Sequence, residues 1–455
     1  MLTAATLLTA LASVASAASK IQLTPVMGWS GYNSLMQNSG ICDRAGANGY
    51  NEATVLETAS ILRTSGLAQL GYAFLNLDDC WIAQNRSAEG KLVADPTRFP
   101  HGMPFLASQL HAQGLKLGLY ASASLLTCRN FPGSQGFEEV DAATFAEYGA
   151  DFVKLDSCGG VLATGAEAWV NQYTRWSNAL AASGRDIVFS CSWAFYYSNC
   201  VEKNGAAACG ASPIIGGYIA KICNMWRYDF DLEPTWTNAR AAEGFTGGGI
   251  YDLLVKAAIS PVVRSYRAIT GAGAFSDPDF LIVGCATDGP CEPGTPHPLP
   301  PMTQVQQRTQ FSMWCLLAAP LIIGSDIRAM DSYTLATLGN ADAIAINQDE
   351  KFAPPRLLNG TSTQGNPLGA VWARDMKNGD TAVALLNLGP TALVLGLDVA
   401  QIGWPAGATG GKAMDVWSKA VKNVEGPSYN STVPPFSTTL LRFLPPTVQG
   451  HVGGH

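Results

Sequence analysis

Histidine is scarce in this sequence, charge is sparse and no long apolar run stands in its body. Only five histidines occur among 455 residues, and none follows an apolar strand-like run. Zinc sites and serine–histidine–aspartate triads both depend on imidazole, so neither chemistry is expected. Charged residues make up 14%, the formal net charge is −7 and no basic block is present. That balance argues against nucleic acid or an anionic membrane as partner. No G-x-G-x-x-G follows the first strand-like run, which weakens a dinucleotide-binding fold. No stretch approaches about 18 uninterrupted apolar residues, so no transmembrane helix is expected.

What remains is a loop-rich globular composition: 47% hydrophobic residues, 47 glycines and 26 prolines. The length exceeds one ordinary domain and suits a barrel plus a smaller domain. The opening MLTAATLLTALASVASA lacks Lys and Arg but ends in Ala15-Ser16-Ala17, and reads as a signal peptide over 1–17. Eleven cysteines agree with an oxidising compartment and leave at least one unpaired. Sequons at Asn85, Asn359 and Asn430 become glycosylation candidates in that context. The expected destination is the cell exterior, or a vacuole or lysosome-like compartment reached through the secretory pathway.

The N-terminal two-thirds repeats one pattern, an amphipathic segment closed by glycine and then a short apolar run. Asn51 can cap a helix over 52–65, and runs at 72–77, 115–120, 152–155 and 187–191 read as strands. Asp141 can cap a third helix. Trp169, Tyr173, Trp176 and Leu180 form a core-facing helical stripe. Strands alternating with helices pair in parallel and are buried on both faces. About eight such strands are counted up to residue 324, which favours a closed (β/α)8 TIM barrel over 18–350. Beyond it, runs at 370–374 and 381–388 flank Asn378-Gly379, a pair suited to a type I′ hairpin turn. This reads as an antiparallel β-sandwich domain over 351–446, followed by a flexible tail over 447–455.

Barrel active sites lie where strands end, and here the strand ends carry carboxylates. Asp78 and Asp79 close LNLDDCW, Asp156 closes FVKLDSC, Asp231 follows Arg227, Asp277 and Asp279 lie in FSDPDF, and Asp326 follows PLIIGSD. Two chemistries use such convergence without histidine: a divalent-metal site and two-carboxylate glycoside hydrolysis. Trp29, Trp81 and Trp236 lie near these loops and favour sugar, whose C–H faces pack on aromatic rings.

The ordered motifs TPVMGWSGYN, LNLDDCW, GLKLGLYA, FVKLDSCG, FSCSW, ICNMWR, FSDPDF and FSMWCLLAAPLIIGSDIR resemble those of glycoside hydrolase family 27, the α-galactosidases and α-N-acetylgalactosaminidases. The resemblance implies a retaining exo-glycosidase without cofactor or metal, acting on galactose-terminated oligosaccharides or glycoconjugates. It implies Asp156 as nucleophile and Asp231 as acid/base, about 5–5.5 Å apart, with Lys154 lowering the pKa of Asp156. Asp229 fits the acid/base spacing less well. Asp78 and Asp79 would bind the hydroxyls at C4 and C6, Trp29 would pack on the sugar, and Tyr120, Lys154 and Arg227 would be further donors. It also suggests the disulfides Cys42–Cys80, Cys128–Cys158 and Cys191–Cys223; proximity adds Cys200–Cys209 and Cys285–Cys291, leaving Cys315 unpaired.

The sequence departs from the family pattern at three places. Ser122 stands where an Asp is usual, and Tyr32 replaces a Trp. Ser192 resembles the N-acetylgalactosaminidases, whereas Phe195 is bulky where those enzymes keep a small residue for the acetamide. Galactosidase is the leading expectation and N-acetylgalactosaminidase the alternative. A silent sugar-binding protein and a metal-dependent barrel enzyme stand behind them.

Overall fold

A computed structural model describes residues 22–36, 42, 49–158, 166–192, 194–197, 200, 214–237, 248–285, 301–363, 366–405 and 410–446. The signal-peptide segment, the tail, Cys209 and Cys291 lie outside the described residues.

Eight strands form one parallel sheet: β1 (Met27–Ser30), β2 (Phe74–Asn76), β3 (Lys116–Ser122), β4 (Phe152–Asp156), β5 (Val188–Cys191), β6 (Met225–Arg227), β7 (Phe275–Asp277) and β8 (Leu321–Ile323). Their order is β7-β6-β5-β4-β3-β2-β1-β8. The curl closes through the segment just after β7, where Leu281 bridges Ile323 in parallel. Its amide donates to the Ile322 carbonyl at 2.7 Å, and its carbonyl accepts from the Gly324 amide at 2.7 Å. The expected barrel is therefore present, with a seam made by a loop.

Helices return the chain between strands. Asn51 caps α1 (Glu52–Thr64) by accepting from the Thr54 amide at 3.0 Å. Helix α2 is Gly102–His111 and α3 is Glu138–Glu147. Asp141 does not cap α3 but lies inside it, because its carboxylate is drawn into a buried pair with Arg86 at 2.6 Å. Helix α4 (Ala166–Ala182) carries Tyr173 and Trp176 fully buried, as the stripe required. No helix among the described residues is long and apolar enough to cross a membrane.

The barrel interior is layered by the two-residue period of its strands. Phe74, Phe152, Val188, Met225 and Phe275 open their strands and pack together with Ile322 as an apolar floor. Two residues further along those strands stand Asn76, Lys154, Ser190, Arg227 and Asp277, which line a small cavity above that floor. Apolar floor and polar mouth are thus read from the same strands in two steps. Gly118 serves this layer, since a Cβ there would lie 1.9 Å from Asn76 Oδ1.

The C-terminal part is antiparallel. One sheet runs β14-β13-β16-β11-β10-β9 and a second pairs β12 with β15. The strands are β9 (Arg356–Thr363), β10 (Asn366–Asp375), β11 (Thr381–Asn387), β12 (Leu393–Asp398), β13 (Gly411–Asp415), β14 (Val421–Val424), β15 (Ser428–Val433) and β16 (Ser437–Leu444). Val383, Leu385, Leu441 and Phe443 meet Leu395, Leu397, Tyr429 and Val433 between the sheets. The β10–β11 hairpin forms, but its turn is not type I′: Gly379 alone adopts a positive φ of 91°. The Gly379 amide donates to the Met376 carbonyl at 3.1 Å, the geometry of a type I turn followed by a left-handed glycine.

Candidate active site

The mouth of the barrel collects its charges in two stations. At the first, Asp156 ends β4. Its Oδ1 accepts from the Tyr196 hydroxyl at 2.7 Å and from the Ser157 amide at 2.9 Å, while Oδ2 accepts from the Tyr120 hydroxyl at 3.3 Å. The disulfide Cys128–Cys158, with Cα atoms 4.8 Å apart, ties the loop after β3 to the residues just beyond Asp156. Ser122 lies opposite Asp156 in register and donates to the Cys158 carbonyl at 3.3 Å. The residue that replaces the usual Asp thus braces the nucleophile candidate's loop.

The second station is a loop beyond β6. Asp231 is 53% exposed at its side chain. Its Oδ2 accepts from the Tyr32 hydroxyl at 2.7 Å, and its Oδ1 lies 3.3 Å from the Arg227 guanidinium. Enclosure raises its pKa, but Arg227, Lys154 and the Tyr32 hydroxyl outweigh this and hold the carboxyl below the usual range. Arg227 is itself buried, and its pKa is raised against burial by Asp279 above all, 3.0 Å away. Asp279 also accepts from the Leu232 amide at 2.7 Å, so one carboxylate pins both ends of the loop. Asp279 holds a φ of 87°, a conformation that costs a non-glycine residue energy and concentrates at functional sites. Burial pushes its carboxyl up to about 7.

Between the stations stands Lys154. It forms a barrel-interior ion pair with Asp78 at 2.7 Å, and it lies near enough to Asp156 for the two charges to attract. Asp78 is reached because both side chains point into the barrel, one from β4 and one from just past β2. Asp79, beside it, is buried; its Oδ2 accepts from the Arg129 amide at 2.8 Å, while Oδ1 accepts no hydrogen bond from the described residues. Burial, partly offset by a hydrogen bond from Thr127, pushes Asp79 up to about 7.

Other expected residues are placed differently. Trp29 is 1% exposed, and its indole N–H donates to the Ser325 carbonyl at 3.0 Å. It is core, not a sugar platform, because all of β1 is buried. Trp81 is likewise fully buried, and Trp236 packs edge-on against Phe436. Among the aromatic rings at the mouth is Tyr32, half-buried, with Lys154 Nζ 5.2 Å from its centroid. Tyr120, 1% exposed, orients Asp156 from below. Asp326 caps a short helical turn and pairs with Arg328 at 2.6 Å. Asp229 is buried against Lys256 at 2.7 Å, which sets it apart from Asp231.

Ser192 is buried just past β5. Phe195 follows it and packs edge-to-face on Phe230 of the Asp231 loop, with centroids 4.6 Å apart. Sequence reasoning passed over Tyr196, whose only signal was its place three residues beyond the FSCSW motif. Cys42–Cys80, Cys128–Cys158 and Cys191–Cys223 are disulfide-bonded; Cys200 and Cys285 are also bonded, and Cys315 is a buried free thiol. The three sequon asparagines, Asn85, Asn359 and Asn430, are exposed.

Comparison with known proteins follows the same division. A family model described as alpha galactosidase A matches residues 24–349, and one described as alpha galactosidase C-terminal beta sandwich domain matches 369–443. The chain is 33% identical over 403 residues to an α-galactosidase of Cyamopsis tetragonoloba, covering 88% of this chain and 81% of that one. It is 34% identical over 328 residues to the α-N-acetylgalactosaminidase of Homo sapiens, covering 72% and 69%. The crystal structure of α-galactosidase I from Mortierella vinacea superposes with a TM-score of 0.75 at 25% identity, covering 93% and 98%.

Proposed function

Because the chain belongs to glycoside hydrolase family 27, we propose that it hydrolyses terminal, non-reducing α-D-galactosyl residues with retention of configuration. The observation that carries this reading is the pair Asp156 and Asp231, presented at one barrel mouth in unlike surroundings. Asp156, aimed by two phenols, attacks the anomeric carbon as the leaving oxygen departs. Asp231 protonates that oxygen, then takes a proton from the water that releases the sugar. Asp78 and the free oxygen of Asp79 receive hydroxyls at C4 and C6, with Lys154 and Arg227 supplying the opposing donors.

Cationic neighbours hold Asp231 ionised, so its protonated form is gained as pH falls. Activity on substrates that need acid assistance should therefore be confined to acid solution. Galactose is favoured over N-acetylgalactosamine because Phe195 is fixed between Phe230 and Tyr196 and leaves an acetamide little room. The deciding measurement is kcat/KM for aryl α-galactoside against aryl α-N-acetylgalactosaminide, with the anomer of the first product followed by NMR. The galactoside should be preferred and the first product should be the α-anomer. Equal or reversed preference overturns the substrate assignment, and initial inversion overturns the nucleophile. The disulfides support passage through an oxidising secretory compartment.

A further inference from the structure

The Tyr32 ring packs against the barrel core, but its hydroxyl leaves that core for the mouth. The residue begins the π-helical turn Tyr32–Met36 directly after β1, its ring is half-buried, and its hydroxyl crosses the mouth to Oδ2 of Asp231 at 2.7 Å. The same turn anchors the loop a second time, since Asn33 donates to the Leu232 carbonyl at 3.1 Å. On its far side the ring faces Lys154 at 5.2 Å and Phe280 at 6.3 Å. Arg227 takes the other oxygen of Asp231, so both oxygens of an otherwise exposed carboxyl are held in place.

We propose that Tyr32 is a positioning residue for the acid/base step: its hydroxyl aims the Asp231 carboxyl at the leaving group and governs how readily that carboxyl takes and gives up the transferred proton. The inference rests on the reading of Asp231 as acid/base. A phenol donating to a carboxylate favours the charged form. The groups facing Asp231 are Arg227 at the end of β6, Lys154 from β4, Tyr196 beyond β5 and Asp279 beyond β7. Arg227 and Lys154 act in the same direction as Tyr32, and Asp279 opposes them. Of the three stabilising contacts, the phenol is the one that can be removed without changing any charge.

The experiment is the pH dependence of kcat/KM for Tyr32→Phe on two aryl α-galactosides, one with a poor leaving group and one with 2,4-dinitrophenol. Without the hydroxyl, the alkaline limb on the poor leaving group should move to higher pH by roughly one unit, about what one hydrogen bond to a carboxylate contributes. The loss of rate at the acid optimum should be about tenfold greater on the poor leaving group than on dinitrophenol, which departs without a proton. An unmoved limb, or equal losses on both substrates, overturns the proposal. If Tyr32→Phe does not fold, Tyr32→Trp supplies an aromatic ring without the phenol and is judged by the same limb. A wild-type enzyme that turns over neither galactoside would instead overturn the functional reading beneath.

Discussion

Asp156 and Asp231 share one mouth but are held by opposite means. Asp156 ends a strand, is braced by a disulfide two residues on, and is aimed by two neutral phenols. Asp231 hangs on a loop, half exposed, and is gripped by an arginine and one phenol. The difference suits the tasks proposed for the two residues. A nucleophile needs an unchanging line of attack on one carbon. A group that gives and then takes a proton needs contact with water and leaving group, and a charge environment that can be traded. Rigidity belongs to the strand and exchange belongs to the loop, and one barrel supplies both because its strands end in loops.

The comparison breaks most sharply at Asp156. Asp156→Ala should lose at least about 10⁴-fold in kcat, since no other group replaces a covalent nucleophile. Assay of each aryl galactoside will show it, and a loss that depends on the leaving group would mean the two roles are reversed. Asp231→Asn should lose roughly 10²- to 10⁴-fold on poor leaving groups and far less on dinitrophenol. A uniform loss would deprive Asp231 of its role as acid.

The smallest expected effect lies behind the first station and is one of stability. Asp79 stays protonated in the fold up to about pH 7, while in the unfolded chain it ionises near 4. Between those values the folded state binds more protons, so stability falls as pH rises and levels off above about 7. Asp79→Asn should flatten that fall. Melting temperatures of both proteins between pH 4.5 and 7 will test it, and parallel slopes would remove Asp79 as the source.

Much of this was legible in the sequence, for a physical reason. A strand buried on both faces reads as an apolar run, and the first polar residue after it marks the barrel mouth; Asp78 and Asp156 were found that way. The same uniformity concealed direction. With every residue of β1 buried, no alternation told that Trp29 turns to the core while Tyr32, two residues past the strand, reaches the mouth. Lys154 shows a second limit. Its inward position follows from the strand period, but its choice of Asp78 depends on which strand lies across the barrel. Asp326 shows a third, because a carboxylate after a strand can as well cap the next turn, and there a nearby Arg328 claimed it.

The seam between β7 and β8 has a consequence of its own. Seven of the eight junctions in the barrel wall are strand ladders, and the eighth rests on the single bridge at Leu281. Two residues before that bridge stands Asp279, which pins Arg227 and Leu232 around the Asp231 loop. The thinnest stitch in the wall is thus sewn to the half of the mouth that carries Asp231, while Asp156 ends β4, flanked on both sides by continuous ladders. Local breathing of this barrel should begin at the seam and reach Asp231 before it reaches Asp156.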